Sequence, residues 1–130
     1  MYRVSSMENQ KIKSFTDLDA WKEAHKLVLL IYRHTKSFPE EEKFGLTNQI
    51  RRATVSITSN IAESFGRSTQ KDKINFYVMA KSSLFEVQSQ LMIAKDLGYI
   101  TKDVFSGIAD VSVVVSRLLA GLSKSAASWK

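Results

Sequence analysis

Apolar and small side chains recur along the chain at intervals of three and four residues, and they do so in four separate stretches. The first runs Leu18, Trp21, Ala24, Val28, Ile31 and Thr35, and the second Leu46, Ile50, Ala53, Ile57 and Ile61. The third runs Tyr77, Ala80, Leu84, Val87, Leu91 and Ala94, and the fourth Val104, Ile108, Val111, Val115, Leu118 and Leu122. At about 100° per residue each set collects on one face of a helix. The second stretch carries a competing signal. Its β-branched composition and the alternation Ala53, Val55, Ile57 favour a strand. The longer window decides for helix, because Leu46 to Ile61 falls within a sector of about 80° and a strand that long would be unusual.

Boundary residues agree with four helices of about 20 residues each. Thr16 and Asp19 have the spacing of a capping pair for helix 1, and Phe38-Pro39 stops it. Thr69, or Ser68, opens helix 3 with Asp72 in its first turn. Gly98 suits a left-handed stop, with Tyr99-Ile100 folding back, and Thr101 opens helix 4 with Asp103 in its first turn. Short links force antiparallel neighbours. The expected fold is all-α, an up-down-up-down antiparallel four-helix bundle over residues 14–122, with a flexible polar leader at 1–13 and a small, flexible polar tail at 123–130.

Composition narrows the chemistry. At 130 residues the chain suits one domain, and one proline with five glycines fits long uninterrupted elements. The absence of cysteine removes disulfides, thiol nucleophiles and thiolate metal sites. The longest unbroken apolar run, Leu27 to Tyr32, is far too short to span a bilayer, and the first ten residues hold no signal segment. A soluble cytoplasmic protein without a membrane partner is expected. The net charge of +6 permits a polyanionic partner and equally serves solubility.

No catalytic constellation emerges. His25 and His34 are nine residues apart and point to opposite helix faces. No metal-ligand spacing, phosphate-cradling glycine loop or nucleophile elbow occurs, so neither enzyme activity nor a metal or cofactor is expected. Asp103 and Asp110, and the run Glu40-Glu41-Glu42, read as solvated charge. Trp21, Phe76, Tyr77 and Phe85 read as core aromatics from their spacing.

Helix 2 carries the unusual feature. Gln49, Arg52, Ser56, Asn60, Glu63 and Arg67 share a sector of about 60° beside the apolar one. Three readings of this stripe stay open: a wet face, a hydrogen-bonded seam between subunits, and a phosphate-backbone contact through Arg52 and Arg67. A second set of basic residues is Arg51, Lys71, Lys73, Lys81 and Lys95, in which Lys71, Lys73 and Lys81 do not line a single face, so no continuous stripe forms. If nucleic acid binds, Arg51, Arg52, Arg67, Lys71 and Lys73 are the expected contacts.

Several separated motifs carry a resemblance. Phe38-Pro39, Glu42-Lys43-Phe44-Gly45-Leu46, Gln49-Ile50-Arg51-Arg52-Ala53, Val55-Ser56-Ile57, Ser59-Asn60-Ile61-Ala62-Glu63 and Gly66-Arg67 occur in order. Asp17-Leu18, Trp21 and Ala24 precede them, and Leu91, Ile93-Ala94 and Leu97-Gly98-Tyr99-Ile100 follow. This pattern, over about residues 15–122, resembles the bacterial four-helix-bundle family named for proteins encoded in intervening sequences of 23S rRNA genes. Where that family usually has glycine after Ala-Glu, this chain has Ser64 and then Phe65, which predicts a more continuous helix 2.

The resemblance implies a ring-shaped homopentamer with no known catalytic activity. The family also looks related to accessory proteins of diversity-generating retroelements, basic pentameric bundles that associate with a reverse transcriptase and its template RNA. On these grounds the expected function is that of a non-enzymatic, oligomeric protein binding RNA or DNA mainly through backbone charge, in the sharper version as accessory subunit to such a reverse transcriptase. The alternative is a protein-interaction scaffold with no nucleic-acid partner.

Overall fold

The computed structural model describes residues 11–128. Four helices form: α1 (Asp19–Thr35), α2 (Leu46–Phe65), α3 (Gln70–Asp96) and α4 (Lys102–Ser128). Two single-turn 3-10 segments, Phe15–Asp17 and Glu40–Glu42, precede α1 and α2. Each helix packs against its two neighbours around the square, α1 on α2 and α4, and α3 on α2 and α4. This is the antiparallel bundle that the short connections demand.

The core is built from the apolar seams. Leu27 and Ile31 of α1, Ile50, Ile57 and Ile61 of α2, Leu84, Val87 and Leu91 of α3, and Ile108, Val115 and Leu119 of α4 are almost wholly excluded from solvent. Each such aliphatic side chain contributes about 1.5–3 kcal/mol by leaving water. All six expected positions of α3 are buried. In α1 the buried face is rotated slightly, taking Ala20 and Leu27 inside and leaving Val28 half-buried. In α2, Thr54 and Ser64 join the seam by turning their hydroxyls onto the helix backbone, donating to the carbonyls of Ile50 and Ile61 at 2.6 Å each. The helix passes through Ser64 without a break and ends at Gly66, as the serine in place of glycine predicted.

The termini show where local chemistry differs from the sequence expectation. Thr16 and Asp19 do not form a capping pair. Ser14 and Asp17 form a capping box two residues earlier, on the 3-10 segment, and α1 starts at Asp19 behind Leu18. Thr69 caps α3 through Asp72 N–H at 3.1 Å, and Thr101 caps α4 through Val104 N–H at 3.1 Å. Gly98 takes φ +78°, with its N–H on Lys95 C=O and the Tyr99 N–H on Ala94 C=O. That paired closure requires a left-handed residue, which glycine adopts without Cβ strain. The expected tail is also corrected: α4 continues through residues 123–128, and Ala126 is buried. Most of the expected leader, residues 1–10, lies outside the described residues, and Lys11–Lys13 form no regular element.

By length and composition α4 is the one described helix apolar enough to cross a membrane, although its longest unbroken apolar run is short. Val104, Phe105, Val111, Leu118 and Leu122 of this helix pack against the buried cluster, while Val113 is exposed.

Candidate nucleic-acid interface

The five cations singled out in the sequence do not converge. Arg51 sits in the second turn of α2, whereas Arg67, Lys71 and Lys73 surround the α2–α3 turn. At 1.5 Å rise per residue the two places are roughly 24 Å apart. Arg52 is exposed on the flank of α2 and makes no ion pair among the described residues.

At the α2–α3 turn, cationic side chains are braced rather than loose. The Arg67 guanidinium lies 4.5 Å from the Phe76 ring centre and reaches Glu63 at 3.7 Å. Both Glu63 and Arg67 are largely exposed, so the ion pair adds little to stability. Lys73 Nζ donates to Ser64 C=O at 3.1 Å and lies over Phe65. Lys71 is exposed on the first turn of α3.

Arg51 is held more firmly. Its Nε donates to Thr35 Oγ1 at 2.8 Å, and its guanidinium covers the Tyr32 ring at 4.7 Å. Thr35 is buried, and its hydroxyl in turn donates to Ile31 C=O at 2.7 Å. This uses the Nε–H, and the two terminal nitrogens, which have no hydrogen-bond partner among the described residues, keep a planar pair of donors of the kind that suits phosphate.

The polar stripe of α2 lies along the outer edge of the α2–α3 seam. Ser56 and Ser83 share a hydrogen bond at 2.9 Å, and Asn60 Nδ2 donates to Ser56 C=O at 2.9 Å. Gln90 Nε2 donates to Gln49 Oε1 and Glu86 Oε2 at 3.4 and 3.3 Å, while its own Oε1 is buried without a partner among the described residues. Gln49, Ser56 and Asn60 thus direct polar groups within the chain, and only Arg52, Glu63 and Arg67 remain largely exposed along with part of Gln49.

Other candidates resolve simply. His25 lies flat on Trp21, rings 4.8 Å apart and 9° from parallel, in exposed surface. Tyr77 is core as expected, and Trp21 and Phe76 are half-buried. Phe85 is corrected: it is 57% exposed on the outer face of α3. Val78, Met79, Met92 and Ile93 are exposed on the same helix. This outer apolar surface was missed because α3 was read only by its inward seam. The signal was available in the seven-residue spacing of Val78, Phe85 and Met92.

Four antiparallel helices with an exposed apolar line on the third and dispersed, braced cations define a small basic helical-bundle protein. Residues 16–121 match the family described as 23S rRNA-intervening sequence protein, and the chain belongs to that family. It is similar in fold to a crystal structure from Bacteroides thetaiotaomicron VPI-5482, described as a protein with unknown function from the S23 ribosomal protein family. The TM-score is 0.73 at 23% identity, covering 81% of this chain and 95% of that one. No curated protein matches the sequence.

Proposed function

We propose that this chain is a non-enzymatic, homo-oligomeric cytoplasmic protein that binds RNA or DNA chiefly through phosphate charge. The observation that carries the reading is the uncompensated positive charge. Nineteen lysines and arginines face thirteen acids, and only two ion pairs form among the described residues. Cations that no carboxylate neutralises are available to displace counterions from a polyphosphate backbone.

Assembly makes such charge effective. Val78, Phe85 and Met92 form a solvent-facing apolar line on α3 with Ser82 and Ser89 between them, a knob-and-gap pattern that suits a second copy of the same helix bundle. Several copies on one particle would convert weak contacts at Arg51, Arg52, Arg67, Lys71 and Lys73 into avidity. A reverse transcriptase acting on a bound template RNA is the protein partner this reading favours.

Fluorescence anisotropy with structured RNA, single-stranded DNA and duplex DNA at about 50 and 200 mM salt tests the reading. The expected result is micromolar or tighter binding at low salt that weakens at least tenfold at high salt. Absence of binding by the folded protein at low salt would overturn it and leave a protein-interaction scaffold, which the same apolar line on α3 suits.

A further inference from the structure

The α1–α2 corner holds a half-open cavity of about 280 Å³ lined by Thr35, Lys36, Phe38, Pro39, Glu40, Lys43, Thr47 and Arg51. Three of the lining side chains are cations and one is a carboxylate, so the pocket carries a positive excess suited to a dianion. Arg51 is the fixed element. Its Nε is committed to the buried Thr35 hydroxyl and its flat face to Tyr32, which removes most of the rotamer freedom that binding would otherwise cost. The two terminal nitrogens retain a planar, bidentate donor edge. Lys36 comes from the C-cap of α1, Lys43 from the C-cap of the Glu40–Glu42 turn, and Thr47 from the first turn of α2. Pro39 and Phe38, the latter buried and packed on Tyr99, close the side between them.

We infer that this pocket binds a phosphomonoester, the terminal phosphate of a nucleic-acid strand. The inference deepens the nucleic-acid reading and rests on it for the source of the phosphate, but not for the chemistry of the pocket. A monoester fits better than an internal diester on two grounds. It carries close to two negative charges near neutral pH, where a diester carries one. It also ends the chain, so it enters a recess that a continuing backbone would have to arch over. The phosphate oxygens would take the Arg51 fork, with Lys36 and Lys43 as point charges and the Thr47 hydroxyl as a neutral donor. Glu40 opposes an anion here, and its single negative charge is outnumbered by the three cations.

The test compares one RNA oligonucleotide bearing a 5′-phosphate, a 3′-phosphate or hydroxyls at both ends, together with inorganic phosphate followed by backbone amide NMR. Variants are Arg51→Lys, which keeps the charge and loses the fork, and Thr35→Val, which keeps the volume and loses the brace. Their folding is checked by thermal denaturation. The expected result is about tenfold tighter binding of one phosphorylated end over the hydroxyl form, as for a charge-assisted bidentate contact. That preference should fall to about onefold in both variants, with affinity for the hydroxyl form retained. Inorganic phosphate should move the amides of Lys36, Lys43 and Thr47. If all forms bind alike and phosphate moves none of these amides, the pocket assignment is overturned while the nucleic-acid reading stands. If phosphate moves them and no oligonucleotide binds, the pocket stands as a site for free phosphate, and the nucleic-acid reading falls with the strand-end assignment.

Discussion

Glu42 follows two other acids in the sequence and looks no different from them, yet it alone of the three closes a joint. Its Oε1 accepts the Leu46 N–H at 3.0 Å, capping α2, and its Oε2 accepts the Tyr99 O–H at 2.8 Å. The Leu46 N–H, and then the Tyr99 hydroxyl, favour the carboxylate and hold the Glu42 pKa below its ordinary value; the Glu42 carboxylate pushes Tyr99 up. Gly45 leaves the space this requires, since a Cβ there would stand 2.8 Å from Oε1. A depressed carboxyl stabilises the fold above its unfolded pKa, and that contribution is lost as pH falls through the lower folded value. Glu42→Gln should therefore lower Tm by a few degrees at neutral pH, and the gap to the parent should close below about pH 4.3, the ordinary glutamate range. Thermal melts at intervals from pH 7 to pH 3 check this, and a gap independent of pH would count against the ionised bond. This residue was illegible because a cap from Glu42 to Leu46 and a bond to Tyr99 are set by the path of the turn, not by any local motif. Gly98 was legible for the opposite reason: its role depends only on its own φ and the turn beside it.

Among the elements, α3 differs most from what its sequence suggested. Its inward seam was readable in full, and α2 was correctly taken as helix over its β-branched stretch because the seam outlasts the local composition. The outward line through Val78, Phe85 and Met92 has the same helical order, so a reading that searches for one apolar face stops once it has found the first. Phe85 was assigned to the core for that reason. If this line joins copies of the chain, Phe85→Glu combined with Met92→Glu should reduce the particle to a monomer in light scattering at micromolar concentration. Since both side chains are more than half exposed, Tm of the monomer itself should change little. An unchanged mass would exclude the α3 line as the assembly surface. The α2 stripe makes the contrasting case. Its one-sided spacing was plain, but its partners Ser83 and Gln90 lie on another helix, and no spacing within α2 reveals them.

For the whole molecule, helix number, order and most of the core followed from periodicity, whereas the distribution of charge did not. Arg51 lies in the second turn of α2 and Arg67 just past its C-terminal end, and the cavity beside Arg51 draws Lys36 and Lys43 from separate turns. An excess of six positive charges, with two ion pairs among the described residues, leaves net self-repulsion that salt screens. Raising salt from about 10 to 150 mM shortens the screening length from about 30 to 8 Å, so Tm should rise by a few degrees over that range. A fall in Tm, followed by calorimetry, would mean that attractive pairs dominate instead. The joint at Glu42 has a bearing on how the chain is made. Its two partners lie 57 residues apart, with the whole of α2 and α3 between them. At about 5–20 residues per second, a ribosome takes about 3–11 s to add that stretch. Throughout that interval Glu42 can cap Leu46 but has no tyrosine to receive, so α1 and α2 leave the exit tunnel as a hairpin with one latch unset. The latch engages only when the turn after α3 emerges, which makes Tyr99 a late checkpoint on a bundle whose other local contacts can form in the order of synthesis.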